Sequence, residues 1–200
     1  MVTAAHPTRR DLLRASAIAA SGLGLAPAEA FAQAGLTPTP ACHDGAHPTV
    51  RQTEGPYFRP RSPQRADLRE AGISGTPLAL SGLVLTRACR PVARALVDLW
   101  HADDTGEYDN AGFRLRGHVF TDADGLYAFR TIVPGVYRPR ARHFHVKVQA
   151  PGRPVLTTQL YFPGEPDNHR DPLFRPELTL RLAETADGRA ARFDVVLDMS

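Results

Sequence analysis

The chain has 200 residues, 24 basic against 21 acidic, and a formal net charge of +3. Lys147 is its sole lysine and no run of like charges occurs, which argues against nucleic acid as a partner. The length suffices for one domain with a real core.

The first predicted segment is not part of the fold. Thr8-Arg9-Arg10-Asp11-Leu12-Leu13-Arg14 is followed by a small and apolar run from Ala15 to Ala28. Ala32-Gln33-Ala34 then offers a small-residue cleavage site, with Ala28-Glu29-Ala30 as a second candidate. Charged start, apolar run and small cleavage residues read as an export signal over residues 1–34. The paired arginines point to the twin-arginine route and a periplasmic or secreted location. The apolar run is too short and too interrupted to span a bilayer, so no stable membrane insertion is expected once the signal is cleaved. In an oxidising compartment the even pair Cys42 and Cys89 is expected to form a disulfide.

Residues 35–75 read as an extended leader and loop, rich in Pro, Thr and His at the start and punctuated at Thr53-Glu54-Gly55-Pro56-Tyr57-Phe58. Residues 76–200 read as a β-sandwich domain that holds the candidate catalytic residues. Candidate strands are Leu78–Leu85 and Ala95–Trp100. His118-Val119-Phe120 and Leu126–Arg130 flank an Asp124-Gly125 turn, which predicts a hairpin. Phe144, Val146 and Val148 alternate with His143, His145, Lys147 and Gln149, and Thr158–Phe162 and Phe193–Leu197 complete the set. Many short strands, frequent Gly and Pro turns and no long helical period predict an all-β antiparallel sandwich. The chain's histidines and tyrosines point to a metal site formed by its long loops.

The densest chemistry lies between Tyr108 and Tyr161. His143 and His145 are two apart on a strand and so share a face, about 6.5–7 Å apart at the α-carbon. A lone H-x-H is a weak signal, equally at home on a half-exposed strand. Tyr108 and Tyr137 sit in loops that can converge on the same end of a sandwich. Phenolate is a hard anionic donor that only a strongly Lewis-acidic centre ionises at neutral pH. Ferric iron suits it, whereas zinc normally takes Cys, His and carboxylate.

Together these segments resemble the intradiol ring-cleavage dioxygenases, the group of catechol and protocatechuate dioxygenases. The resemblance runs from about Thr53 to Asp171. It is carried by Thr53–Phe58, Leu99-Trp100-His101-Ala102-Asp103 through Tyr108, and the Asp124–Phe129 hairpin. Pro134-Gly135-Val136-Tyr137, Arg140-Ala141-Arg142-His143-Phe144-His145 and Gln159-Leu160-Tyr161-Phe162 complete it. The resemblance implies an Fe(III) ion held by Tyr108, Tyr137, His143 and His145. It also implies cleavage of a catechol-type ring between its two hydroxylated carbons by dioxygen, giving a cis,cis-muconate-type product. Tyr137 would also take a substrate proton, Arg140 would stabilise negative charge on the ring, Gln159 would lie near the substrate, and Tyr57 would line the pocket. Ala141-Arg142 stands where the protocatechuate enzymes have Pro-Ala, and their longer insert before the first histidine is missing.

Two other readings compete. Gly82–Leu99, the Asp124-Gly125 turn and Pro134–Tyr137 also resemble transthyretin-like or carboxypeptidase-regulatory-like sandwich modules, which bind or space without catalysis. A zinc or copper hydrolase would instead use His101, His118, His143 and His145. His101 and His118 are read as strand-end residues satisfied by their neighbours.

Overall fold

Alternation of apolar and polar side chains decides which face of each strand packs. The computed structural model describes Cys42 and residues 47–200. Its strands are β1 (Pro77–Leu85), β2 (Leu96–Trp100), β3 (Arg116–Phe120), β4 (Leu126–Ile132), β5 (His143–Gln149), β6 (Leu156–Tyr161), β7 (Arg181–Thr185), β8 (Gly188–Arg192) and β9 (Val195–Val196). One sheet has the order β4-β1-β8-β7, with β9 also paired to β1, and the other has the order β3-β2-β5-β6. All pairings are antiparallel except those of β1 with β8 and β9. Among the described residues the only helical elements are the 3-10 turns Pro166–His169 and Pro176–Leu178. The chain therefore forms the expected all-β sandwich.

The core lies between the sheets. Leu78, Leu80, Val84 and Phe129 face Val97, Leu99, Phe144, Val146, Val148 and Leu160, all buried. Burial of large apolar side chains contributes about 1.5–3 kcal/mol each before entropy is charged against it.

Two expectations need correction. The Asp124-Gly125 turn forms, with Asp122 Oδ1 accepting from the backbone N–H groups of Asp124 (3.0 Å) and Leu126 (2.8 Å). Its flanks do not pair with each other, however: β3 pairs with β2 and β4 with β1, so the turn carries the chain from one sheet to the other. Thr121 fixes the departure, its Oγ1 accepting from Ala95 N–H (2.8 Å) and donating to Val92 O (2.7 Å). A turn sequence sets local geometry only, and the partner that buries each strand's apolar face settles the pairing. The second correction is the β7–β8 hairpin, which the sequence reading passed over. Its strands, RLAET and GRAAR, are rich in Arg, Glu and Ala, so they lack the apolar alternation that announces a strand.

Segment 47–66 runs across the second sheet on the side away from the core. It starts beside β9 of the first sheet, where Thr49 N–H donates to Val196 O (2.8 Å), and is held along the second, where Gln52 N–H donates to Thr157 O (2.8 Å) and Arg65 N–H to His118 O (3.0 Å). Cys42 and Cys89 form the expected disulfide, with α-carbons 5.7 Å apart. The segment read as an export signal lies outside the described residues.

Candidate functional site

The register of the second sheet assembles the site. Trp100 on β2 stands opposite His145 on β5, which stands opposite Gln159 on β6, and His143 stands opposite Tyr161. These residues alternate with the core-facing Leu99, Phe144 and Leu160, so they occupy the outer face, under segment 47–66. The Trp100 indole stacks on the His145 imidazole, 5.0 Å between centroids and 9° from parallel.

His143 Nδ1–H donates to Ala141 O at 2.6 Å, which leaves a lone pair on its Nε2. That Nε2 is 3.0 Å from the Nε2 of His145, and the Tyr108 hydroxyl stands 3.5 Å from it. Both rings are buried, 4 % and 3 % exposed. Burial holds His143 down to about pKa 4, and burial followed by the neighbouring His143 and Arg140 holds His145 well below the ordinary histidine range. Both imidazoles are therefore neutral and ligand-competent at pH 7.

Tyr108 and Tyr137 come from two loops locked together by close backbone approach. Gly135 N–H donates to Asp103 O at 2.6 Å. A β-carbon on Gly135 would lie 2.3 Å from Gly106 N, and one on Gly106, which has φ +97°, would lie 2.5 Å from Val136 O. Only glycine permits that contact. Tyr57 completes an aromatic cluster: it stacks on Tyr108 (4.5 Å, 15°) and meets Tyr137 edge-on (5.4 Å, 87°), with its hydroxyl 2.6 Å from the Tyr137 hydroxyl. The Tyr57 phenol is pushed up first by that hydrogen bond. Burial pushes the Tyr108 phenol up, against the pull of Arg140 and Arg116. A phenolate at Tyr108 thus needs a strong Lewis acid beside it.

Arg140 is held by a buried carboxylate that sequence reasoning missed. Its Nε donates to both oxygens of Asp171 (3.0 and 2.9 Å), and its Nη2 to Gln159 Oε1 (2.6 Å) and Tyr161 Oη (3.1 Å). Asp171 also accepts from Ala141 N–H at 2.9 Å, tying Arg140 to the start of β5. Gln159 Nε2 donates to Thr53 O (3.0 Å), which fastens segment 47–66 over the site. Asp171 sits 31 residues from Arg140 in an Asp-Pro turn, and no spacing rule singles it out.

His101 and His118 lie apart, as expected. His101 Nε2 is bonded to Thr131 Oγ1 (2.6 Å) and its Nδ1 to Ala102 O (2.7 Å), while His118 Nδ1 contacts Ser62 Oγ (3.1 Å). The four-histidine hydrolase site is therefore not assembled. The donors that do converge fit a hard, trivalent ion. Two nitrogens bound at about 2.1 Å and at right angles lie about 3 Å apart, the spacing of the His143 and His145 Nε2 atoms.

Comparison with known proteins identifies the family. A family model described as "Dioxygenase" matches residues 53–199. Catechol 1,2-dioxygenase 2 of Acinetobacter lwoffii is 34% identical, over 59% of this chain and 52% of its own length. Hydroxyquinol 1,2-dioxygenase of Nocardioides simplex is 32% identical, over 60% of this chain and 49% of its own. The chain thus spans about half the length of the curated relatives it matches. The solved dioxygenase domain of a dioxygenase–carbohydrate-binding protein fusion from Streptomyces sp. SirexAA-E is 55% identical, with a TM-score of 0.75 over 77% of this chain and all of that one. The matched span holds the outer face of the second sheet, both tyrosine loops and Asp171, and the chain belongs to the intradiol ring-cleavage dioxygenase family.

Proposed function

We propose that this protein is an Fe(III) intradiol dioxygenase that opens a catechol-type ring between its two hydroxylated carbons, incorporating both atoms of dioxygen to give a cis,cis-muconate-type product. The observation that carries the reading is the convergence of two buried, neutral imidazole Nε2 atoms and the Tyr108 hydroxyl at one point, beside Tyr137 and Arg140. Tyr108, Tyr137, His143 and His145 would hold the iron. Bound there, ferric iron supplies Lewis acidity that draws electron density from a catecholate and makes its ring reactive toward dioxygen.

The chain's own residues do the rest. The Tyr137 oxygen, a phenolate when iron is held there, would take one proton of the diol and become a neutral hydroxyl, and Tyr57, 2.6 Å away, would hold that oxygen by a hydrogen bond. Arg140, fixed by Asp171 and Gln159, places positive charge where the ring gathers negative charge. Trp100 and segment 47–66 keep water from the histidine side. The relatives are named for catechol, hydroxyquinol, chlorocatechol and protocatechuate, and a substrate of that class suits this site. Export by the twin-arginine route remains part of the proposal, supported by Arg9-Arg10 and by the disulfide. Among the described residues no helix is long and apolar enough to cross a membrane.

The test is a panel of catechol, 4-methylcatechol, hydroxyquinol and protocatechuate offered to iron-loaded protein in an oxygen electrode. One dioxygen consumed per ultraviolet-absorbing muconate is the expected result. A yellow semialdehyde, or no turnover with iron bound, would overturn the reading, the latter in favour of a non-catalytic sandwich module.

A further inference from the structure

Arg116 opens β3 opposite Trp100, on the face that carries the site. It is one of the largest fully buried side chains, 1 % exposed. Its guanidinium donates to two backbone carbonyls, Nη1 to Tyr57 O at 2.6 Å and Nη2 to Asp109 O at 2.9 Å. Its Nε has no hydrogen-bond partner. Among the described residues no carboxylate lies within ion-pair distance of it, and Asp109 and Asp98 act on it only from farther off. A buried cation without a paired anion is strongly unfavourable, and proteins keep one only where something else meets its charge. The residue before it, Leu115, is buried and held at φ +53°, a left-handed conformation that a leucine adopts rarely and at a cost.

The two carbonyls belong to the two segments that bring Tyr57 and Tyr108 into their stack: Tyr57 itself, and the residue directly after Tyr108. Since the segments are 59 and 7 residues from Arg116 in sequence, one side chain ties together parts of the chain that share no strand pairing. We propose that Arg116 is a positioning residue, a two-pronged clamp that sets the Tyr57 segment against the Tyr108 loop and whose unpaired positive charge is met by the anionic phenol ligand when the metal is bound. The charge half of this inference rests on the iron reading above, whereas the clamp half does not.

Arg116→Gln removes clamp and charge, Arg116→Lys keeps charge but offers no planar fork, and Arg153→Ala on the exposed β5–β6 turn is the control. In metal-free protein, hydrogen exchange is expected to quicken at least tenfold in both 56–60 and 106–114 for Arg116→Gln and Arg116→Lys, with β5 and β6 unchanged. On iron loading, Arg116→Gln should bind iron at least tenfold more weakly and show a displaced phenolate-to-iron visible band, and Arg116→Lys should restore the band position. Wild-type exchange in either segment of Arg116→Lys overturns the clamp, and this variant decides should Arg116→Gln fail to fold. A band equally displaced in Arg116→Lys and Arg116→Gln overturns the charge role. Wild-type protein that takes up no iron sinks the iron reading, and the exchange measurement still judges the clamp.

Discussion

The two faces of the β3-β2-β5-β6 sheet are built from the same few residues of backbone, yet they do opposite work. Inward, Val97, Leu99, Phe144, Val146 and Leu160 pack on the other sheet. Outward, Trp100, His143, His145, Gln159, Tyr161 and Arg116 line the candidate site. Both faces are dry, but by different means: the inner by a second sheet, the outer by an irregular segment pinned through Gln52, Thr53 and Tyr57. A sheet that needs only one face for its core can therefore give the other to a polar, donor-rich site such as the proposed metal centre, provided some other part of the chain excludes water from it. Rigidity comes with the arrangement, because His143 and His145, the proposed ligands, share a strand with core residues that cannot shift.

The comparison can be broken by exchanging neighbours on β5. His143→Ala or His145→Ala is expected to lower iron content from about one per chain to near zero and activity at least a hundredfold, while the metal-free fold loses no more than about 2 kcal/mol. Phe144→Ala, between them, should cost about 3–5 kcal/mol and leave the visible band of the folded fraction in place. Iron assay, visible spectra and urea titration distinguish the two classes. Histidine variants that unfold, or a Phe144 variant that loses iron while staying stable, would dissolve the distinction.

Next in size is the disulfide, which lies away from both faces. Reducing Cys42–Cys89, 47 residues apart in sequence, is expected to destabilise by at most about 4 kcal/mol on loop-entropy arithmetic, with no change in iron content. Denaturant titrations with and without reductant measure it.

A somewhat smaller effect is pH-dependent and sharpens the contrast between a histidine that only packs and those at the site. Burial depresses His101 to about pKa 4, with Thr131 and Ala102 taking its nitrogens. Its folded pKa lies below the unfolded value, so its neutral burial favours the fold fully above pH 6.5, and that contribution is lost as pH falls toward 4. The loss amounts to about 3 kcal/mol. His101→Gln should flatten the fall in urea-unfolding free energy of metal-free protein across that window. An unchanged slope would show that other groups govern acid unfolding.

The smallest effect expected is that of Tyr57→Phe. Deleting one hydroxyl that bonds Tyr137 removes about 1 kcal/mol of hydrogen bonding, so kcat/KM should fall roughly fivefold with iron content intact. Full activity would reduce Tyr57 to a pocket wall.

Strand identity and the H-x-H face were legible because a period of two is a local property, visible in Phe144-His145-Val146 without knowing any partner. The glycines of the tyrosine loops were visible too, but not what they touch. Residue spacing alone could not find Asp171 or Arg116, since each acts on segments distant in the chain. The β7–β8 hairpin was hidden because β7 lies largely in solvent and β8 buries only the small Ala190 and Ala191, so neither strand shows an alternation of large apolar residues.

Read alone, the chain determined its class and its candidate donors: short alternating strands, two imidazoles on one face, two phenols in loops, an arginine three residues before the first histidine, and a cysteine pair. The tertiary structure alone decided that the strands either side of the Asp124-Gly125 turn part into different sheets. It also decided that Tyr57 stacks on Tyr108 and that Arg140 and Arg116 are held by groups elsewhere in the chain. The division follows from range. Backbone periodicity and residue chemistry act over a few residues, whereas sheet partnership and the fate of a buried charge are settled only when distant surfaces compete to exclude water.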